Sequence, residues 1–156
     1  MNLISPLLIA SHVALEVPAR DKKALFEHAG MLLEKESGLT RQQVIDSLMM
    51  RERMGSTGLG QGIAIPHGRV KGLREAIGAF IRLASPLAFD APDERPVSLV
   101  FVLLVPERAT DLHLQILSNL AEMFSDRDLR AQLASATDAL SVQRLISGWQ
   151  VQPSKR

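Results

Sequence analysis

The chain has 156 residues, of which 46% are hydrophobic and 22% charged, and this is enough for one globular domain with its own core. Its 18 basic and 17 acidic residues give a formal net charge of +1, which offers no support for binding to nucleic acid or anionic lipid through overall charge. The absence of cysteine excludes disulfides, thiolate metal sites and cysteine nucleophiles.

No stretch of the sequence is long and apolar enough for a membrane helix. The most apolar run is Val97 to Val105, which ends at Pro106, whereas a membrane helix needs about 20 apolar residues. The N-terminal stretch from Met1 to Val17 lacks the basic region and cleavage site of a secretory signal. We therefore expect no direct membrane insertion and a cytoplasmic location. One domain is expected over residues 1–150, with a flexible C-terminal tail over residues 151–156.

Two helices are predicted in the first third of the chain. Asp21 to Ser37 is a candidate helix because Asp21 is a good N-cap and Gly38 supplies a stop. Thr40 to Arg53 is a second candidate because Thr40 and Gln43 form a capping-box pattern. The apolar residues of the second helix recur at helical spacing and are expected to point inward: Val44, Ile45, Leu48 and Met49.

The middle of the chain is predicted to contain a loop and strands. Four glycines in the eight residues from Gly55 to Gly62 predict a shaped loop. Ile63 to His67 leaves this loop as a short extended segment, and Ala76 to Leu83 alternates enough to be a strand. We expect Pro86 and residues 91–93 in the next connection. Val97 to Val105 is predicted as a central strand buried on both faces.

The last third of the chain is predicted to be helical. A helix begins at Thr110 or Asp111, and two short helices follow, for which Ser125 and Thr137 are the predicted caps. The helix that begins at Thr110 or Asp111 is expected to place four apolar residues on one side: Leu114, Leu117, Leu120 and Ala121. Strands mixed with helices throughout indicate a single-domain α/β sandwich, with a mixed β-sheet flanked by helices; strand order cannot be predicted.

His67 is the first candidate functional residue. It lies between Pro66, which stiffens the backbone, and Gly68, which removes side-chain bulk from one flank. A neutral imidazole is a competent nucleophile near neutral pH, because its ordinary pKa is about 6.5, and it can accept and release a phosphoryl group. The competing interpretation is a structural histidine at a strand end.

The glycine loop is the second candidate feature. Its backbone N–H groups can approach an anion closely, and Ser56 and Thr57 add hydroxyl donors. The competing interpretation is a plain glycine-rich turn. A nucleotide-binding P-loop is disfavoured, because the Gly-Lys-Ser/Thr ending is absent. Arg51 and Arg53 lie just before the loop and point in different directions on a helix, so at most one is expected to face a site.

Among the other histidines, His113 is the strongest candidate because it lies near the start of a predicted helix, where an anion is favoured. If it faces His67, it can donate a hydrogen bond to a phosphoryl group. A metal site on the two histidines is disfavoured, because no carboxylate partner is fixed beside them. His28 is expected to be solvated within its helix, and His12 is assigned no role.

One segment of the sequence is similar to the motif of a known family: Arg51-Glu-Arg-Met-Gly-Ser-Thr-Gly-Leu-Gly-Gln-Gly-Ile-Ala-Ile-Pro-His-Gly-Arg69. It resembles the signature of bacterial phosphotransferase system enzyme IIA domains of the fructose/mannitol class, and most closely the nitrogen-regulatory IIA-Ntr (PtsN) branch. The resemblance covers residues 1 to 150 and includes Asp111-Leu-His113-Leu-Gln-Ile-Leu. It implies a mannitol-type enzyme IIA fold, a mixed sheet flanked by helices.

The resemblance also implies roles for particular residues. His67 matches the phosphorylated nucleophile, His113 the second active-site histidine, and Arg51 the active-site arginine. Loop residues are expected to bind the phosphoryl group: Ser56, Thr57, Gly58, Gly60 and Gly62. A docking surface for the donor is expected at four apolar residues: Met54, Leu59, Ile63 and Ile65.

The resemblance implies a phosphotransferase component that needs no cofactor and no metal. Its donor would be an HPr-like phosphocarrier protein (NPr in this branch), charged by an enzyme I that uses phosphoenolpyruvate. Regulated targets known for the family include potassium transporters and sensor kinases. Two alternatives stay open: a IIA subunit of a fructose/mannitol-type sugar transport system with its IIB on a separate chain, and an interaction module without transfer activity.

Overall fold

The computed structural model describes residues 2–108 and 110–150, so the predicted tail over residues 151–156 lies outside the described part. Two short 3-10 turns open the chain, at Ser5–Leu7 and Ala10–His12. The strands are β1 (Val13–Val17), β2 (Gly58–Gly60), β3 (Ile63–Ala64), β4 (His67–Val70), β5 (Ile77–Leu87) and β6 (Val97–Pro106). The helices are α1 (Lys22–Ser37), α2 (Arg41–Arg53), α3 (Thr110–Phe124), α4 (Arg127–Ser135) and α5 (Ala139–Gly148).

The strands form one mixed sheet in the order β1-β5-β6-β3-β2, and β4 also pairs with β6. β5 runs antiparallel to β6, whereas β3 and β4 run parallel to it. Both β3 and β4 lie along the same side of β6: Ala64 pairs with Val100 and His67 with Leu103. The register is therefore unchanged across Ile65 and Pro66, and the two strands act as one strand interrupted at a proline.

Helices cover both faces of this sheet, which confirms the predicted α/β sandwich. α1 and α2 pack on one face, where the core includes Val100, Val102 and Leu104 of β6. α3, α4 and α5 supply the core of the other face, which takes Leu99, Phe101, Leu103 and Val105 of the same strand. β6 is thus central and buried on both faces, as its continuous apolar run predicts.

The predicted starts of the first two helices are confirmed by their capping bonds. Asp21 accepts a hydrogen bond from the backbone of Ala24 at 2.8 Å, and Gly38 ends α1 with a left-handed backbone. Thr40 and Gln43 make both bonds of the capping box at α2. On α2 Val44 and Leu48 are buried, while Ile45 and Met49 are half-buried.

The caps predicted for α4 and α5 are wrong by one residue. Asp126 caps α4 by accepting from two backbone amides, and Asp138 caps α5 by accepting from Ser141. Ser125 instead donates its hydroxyl to the carbonyl of Glu122. A carboxylate one position later can satisfy the first free amides of the helix, so each helix starts one residue after the prediction.

The face predicted for α3 is only partly correct. Leu120 is buried and Leu117 packs partly buried against the core as predicted, but Leu114 is 64% exposed and Ala121 is exposed. The other buried residues of the helix are His113, Ile116, Met123 and Phe124. The inward stripe begins at His113, because a histidine occupies a position where the hydrophobic pattern expects an apolar residue. The helix is therefore rotated by about one residue from the predicted orientation.

Two details of the predicted middle region differ. Pro86 lies within β5 rather than in the connection after it. It lies within the break in the regular pairing with β6, between Arg82 and Leu87, where a missing N–H is tolerated. The predicted glycine loop contains the short strand β2, which pairs antiparallel with β3.

Within the described residues, no helix combines the length and apolar character needed to cross a bilayer.

Candidate functional site

His67 is the first residue of β4 and follows the proline interruption directly. The Pro66 carbonyl accepts a hydrogen bond from the backbone N–H of Leu103 on β6 at 2.9 Å, which fixes the chain just before the histidine. The His67 ring is half-buried, and its Nδ1 lies 2.8 Å from the Ile65 carbonyl oxygen. A carbonyl can only accept, so Nδ1 carries the proton and Nε2 keeps the free lone pair.

His113 lies in the first turn of α3 and faces His67. The centroids of the two rings are 5.5 Å apart, and the ring planes meet at 63°. His113 is only 8% exposed, and neither of its ring nitrogens has a hydrogen-bond partner among the described residues. The structure therefore brings together the two histidines singled out from the sequence. The two ring nitrogens of His113 make no hydrogen bond to the described residues.

Both histidines have pKa values below the ordinary value. Burial is the main cause for His67; the positive charge of Arg51 adds to it, and the Ile65 carbonyl and Glu52 oppose it. Burial is also the main cause for His113, followed by the positive charges of His67 and Arg69. Since burial and nearby cations disfavour the charged imidazolium, the site favours two neutral rings at neutral pH.

The two arginines before the glycine loop have separate surroundings. The Arg51 guanidinium donates to the Gly55 carbonyl at 2.9 Å, and its charge acts on His67. Arg53 is exposed and lines a surface groove between α1 and α2 with Lys23 and Met50. The structure thus directs Arg51, and not Arg53, toward the histidine pair.

Two charged residues near the pair were assigned no role from the sequence. Arg69 lies two residues after His67 on β4, hence on the same face of the strand, and its charge lowers the pKa of His113. Glu52 is buried next to Arg51 on α2 and accepts hydrogen bonds from Thr57. The strand period could have indicated Arg69, whereas no sequence pattern indicates a buried Glu52.

The predicted phosphoryl-binding loop is only in part near His67. The Thr57 hydroxyl donates to Glu52 at 2.6 Å, and the Ser56 hydroxyl donates to the Phe89 carbonyl and accepts from the Gly58 amide. Gly60 lies against Asp93, and Gly62 accepts from Ser98 and Leu99, near the start of β6 and away from Leu103, beside which His67 lies. In this structure the two hydroxyls and the Gly58 amide hold the loop itself.

Gly68 does not open a flank of His67, contrary to the sequence-based expectation. It is buried, and a Cβ added to it would lie 2.1 Å from the Ser47 side-chain oxygen and 3.1 Å from the Ser47 carbonyl of α2. The glycine therefore allows β4 to lie directly on α2. Gly68 thus permits close packing of β4 on α2 and does not increase the exposure of His67.

Half of the predicted docking surface is buried. Ile63 and Ile65 belong to the core, because both point from the interrupted strand toward α3. Met54 and Leu59 are exposed as expected. Further exposed apolar side chains precede Arg51 on α2 and flank His113 on α3: Met50, Leu112 and Leu114.

The remaining histidines lie elsewhere. His28 is half-buried on α1 rather than fully solvated, and His12 is buried at the end of the second 3-10 turn. Burial lowers the pKa of His12, and neither ring nitrogen makes a hydrogen bond of good geometry within the described residues. Across those residues no cluster of three or more metal-binding side chains is assembled.

The sequence and the structure both resemble known proteins. The family described as "Phosphoenolpyruvate-dependent sugar phosphotransferase system, EIIA 2" matches residues 7–149. A "Nitrogen regulatory protein" of Pseudomonas aeruginosa is 39% identical over 147 residues, which are 94% of this chain and 96% of that protein. The crystal structure of nitrogen regulatory protein IIA-Ntr from Neisseria meningitidis superposes with a TM-score of 0.88 at 51% identity, and the match covers 93% of this chain and 99% of that one.

A more distant structure shares the fold. The crystal structure of the mannitol IIA of Escherichia coli matches with a TM-score of 0.75 at 24% identity, covering 89% of this chain and 98% of that one. The predicted mannitol-type architecture is therefore confirmed.

Proposed function

The chain belongs to the EIIA type-2 family of the phosphoenolpyruvate-dependent sugar phosphotransferase system, and we propose that it accepts a phosphoryl group on Nε2 of His67 from a phosphorylated carrier protein. The observation that carries this proposal is the hydrogen bond from His67 Nδ1 to the Ile65 carbonyl, beside the unpartnered ring of His113. This bond leaves one nitrogen of His67 as a nucleophile and fixes which one it is.

In the transfer step, the lone pair of His67 Nε2 attacks the phosphorus of a phosphohistidine on the carrier. The carrier's phosphohistidine bears a proton on its other ring nitrogen, so its imidazole leaves as a neutral ring when its P–N bond breaks and the new P–N bond forms. His67 Nδ1 keeps its proton, because the Ile65 carbonyl continues to accept it. No proton, metal or nucleotide enters the balance, so the step is freely reversible.

The low pKa of His67 supports this role. A protonated ring has no lone pair to attack with, and burial together with Arg51 keeps the ring neutral at neutral pH. After transfer the ring carries an anionic phosphoryl group, so Arg51 changes from an unfavourable neighbour of a cation to a favourable neighbour of an anion.

The site also offers positive charge for the phosphoryl oxygens. Phosphoryl transfer depends mainly on positioning and electrostatic stabilisation of those oxygens. Arg51 and Arg69 lie beside the two histidines, and His113 has a ring nitrogen available as a donor. The histidines also lie close to the start of α3, which carries partial positive charge.

We assign the partners by similarity. The relatives from Pseudomonas aeruginosa and Neisseria meningitidis are named nitrogen regulatory proteins, and we propose a regulatory role for this chain as well. The donor is an HPr-like carrier of the NPr type, docking on exposed apolar side chains such as Met54, Leu59 and Leu112. Regulated targets of the kind known in this branch, potassium transporters and sensor kinases, would bind one phosphorylation state.

Phosphorylation changes the site enough to act as such a signal. The attached phosphoryl group itself carries roughly −1.5 to −2 charges at neutral pH, at a point flanked by exposed apolar residues. A target that packs closely on these apolar residues would have to bury the charge of the phosphoryl group, which is unfavourable. Phosphorylation would therefore release the target.

The proposal is tested with a reconstituted relay of enzyme I, carrier protein and phosphoenolpyruvate. We expect the intact mass to increase by one phosphoryl group that is lost in mild acid, and we expect His67→Ala to abolish the increase. A His113→Ala variant serves as a folded comparison that retains the nucleophile. Phosphate incorporation into His67→Ala would overturn the assignment.

A further inference from the structure

We propose that Glu52 is a positioning residue for phosphoryl transfer, because its buried carboxylate holds the ring of His67 through Thr57 and Ile65. This inference rests on the proposed function of His67. It adds a residue that touches neither the carrier nor the phosphoryl group. Its effect reaches the nucleophile through a continuous series of hydrogen bonds.

The series begins at the Glu52 carboxylate, whose side chain is 4% exposed. Lys22 donates to its Oε2 at 2.8 Å, the Thr57 backbone N–H donates to the same oxygen at 3.1 Å, and the Thr57 hydroxyl donates to Oε1 at 2.6 Å. A buried carboxylate is costly unless it is paired and hydrogen-bonded, and these three donors meet that requirement. Thr57 is therefore fixed to α2 by two bonds.

The series continues from Thr57 to the nucleophile. The Thr57 carbonyl accepts the backbone N–H of Ile65 at 3.0 Å, and the Ile65 carbonyl accepts the Nδ1 proton of His67 at 2.8 Å. Thr57 and Ile65 are both buried, so water does not compete for these bonds. Glu52 thus helps to hold the Ile65 backbone through Thr57, and the Ile65 carbonyl selects the tautomer and orientation of the His67 ring.

Neighbouring residues of α2 hold the same loop at two points. Arg51 donates to the carbonyl of Gly55, and Glu52 accepts from Thr57. The segment between α2 and β2 therefore cannot shift without breaking a bond to one of them. On the other side, Lys22 connects Glu52 to α1 and lies 4.6 Å from the centre of the Phe89 ring. The geometry of the nucleophile is thus anchored in both helices of this face.

Thr57 offers a graded test that leaves the charges unchanged. Thr57→Val removes the hydroxyl bond to Glu52 but keeps the backbone bond and a similar side-chain shape, and Thr57→Ser restores the hydroxyl. Glu52→Gln removes the charge and leaves a single acceptor oxygen for three donors. Glu34→Gln is the matched control: Glu34 also pairs with an α2 residue, Arg41, at 2.8 Å, but takes no part in the series.

The experiment has two readouts. Nitrogen-15 NMR of the unphosphorylated proteins reports which ring nitrogen of His67 carries the proton. The reconstituted relay gives the maximal phosphorylation rate and the carrier concentration at half-saturation, at a temperature where circular dichroism shows every variant folded. The first readout does not depend on phosphorylation, so it separates this inference from the proposed function.

We expect Thr57→Val to populate the second tautomer of His67 and to lower the maximal rate about tenfold, with half-saturation unchanged. We expect Glu52→Gln to lower the rate on the order of a hundredfold. Thr57→Ser should recover most of the rate lost in Thr57→Val, and Glu34→Gln should match the wild type. A folded Thr57→Val protein with the wild-type tautomer and rate would overturn the inference, whether or not Glu52→Gln folds. A wild type that takes no phosphate would instead overturn the proposed function.

Discussion

The rings of His67 and His113 meet edge to face with their centroids 5.5 Å apart, although one ring lies on β4 and the other on α3. The parallel pairing of β4 with β6 places His67 near the end of β6, and α3 begins a few residues after that end. The sheet register therefore brings the two histidines together.

The pKa of His113 should respond to His67. Burial and then the positive charge of His67 lower the pKa of His113, so His67→Ala, which removes the charge and opens space beside the ring, should raise it. His67→Gln keeps most of the bulk and should raise it less. NMR titration of the His113 ring protons measures both effects. An unchanged pKa in His67→Ala would contradict the contact.

Stability should fall as the solution becomes mildly acidic. The folded-state pKa values of His12, His67 and His113 lie below the ordinary value of 6.5, so the unfolded chain binds more protons as the pH falls below 6.5. The free energy of unfolding should therefore decrease from pH 6.5 down through the folded-state values. Urea unfolding at about pH 7.5 and about pH 5.5 measures this loss, and His12→Leu should reduce it. A loss of equal size in His12→Leu would show that His12 does not contribute.

The contact between β4 and α2 should make Gly68 intolerant of a side chain. A methyl group at this position would lie 2.1 Å from the Ser47 side-chain oxygen, so Gly68→Ala should lower the free energy of unfolding by about 1–3 kcal/mol. Adding Ser47→Ala should recover part of this loss. Gly148→Ala is the control, because a Cβ there meets nothing within 4 Å. Equal stability of the two glycine variants in urea would contradict the packing described.

The effects of three arginines should differ, because Arg51 and Arg69 lie beside the histidines and Arg53 does not. Arg51→Ala should slow phosphoryl acceptance by roughly a hundredfold, because it removes a cation next to the transferred group. Arg69→Ala should slow it less, since Arg69 is exposed on β4, and Arg53→Ala should leave the rate at carrier saturation unchanged. Initial rates in the reconstituted relay give this ranking. A larger loss in Arg53→Ala than in Arg51→Ala would reverse the assignment.

Much of the architecture is predictable because local chemistry determines it. The caps of α1 and α2 are short-range patterns, and the apolar run of β6 is typical of a strand buried on both faces. The rotation of α3 could not be predicted, because His113 occupies an inward position that the hydrophobic pattern assigns to an apolar residue. Its burial depends on a tertiary contact with His67.

The sequence singles out the two histidines that the fold brings together and Arg51 near them, but not how these residues are supported. The hydroxyls of Ser56 and Thr57 were expected to donate to a phosphoryl group. In the fold they donate to the Phe89 carbonyl and to the Glu52 carboxylate instead. Ile63 and Ile65 follow the loop in sequence and were expected at the surface, but the interrupted strand turns them into the core. Such pairings join distant segments, which no local pattern specifies.

NMR of the phosphorylated protein with nitrogen-15 histidine shows which ring nitrogen carries the phosphoryl group. We expect phosphorus-31 coupling to Nε2 of His67, with Nδ1 still protonated and bonded to the Ile65 carbonyl. Coupling to Nδ1, or to a ring nitrogen of His113, would contradict this expectation.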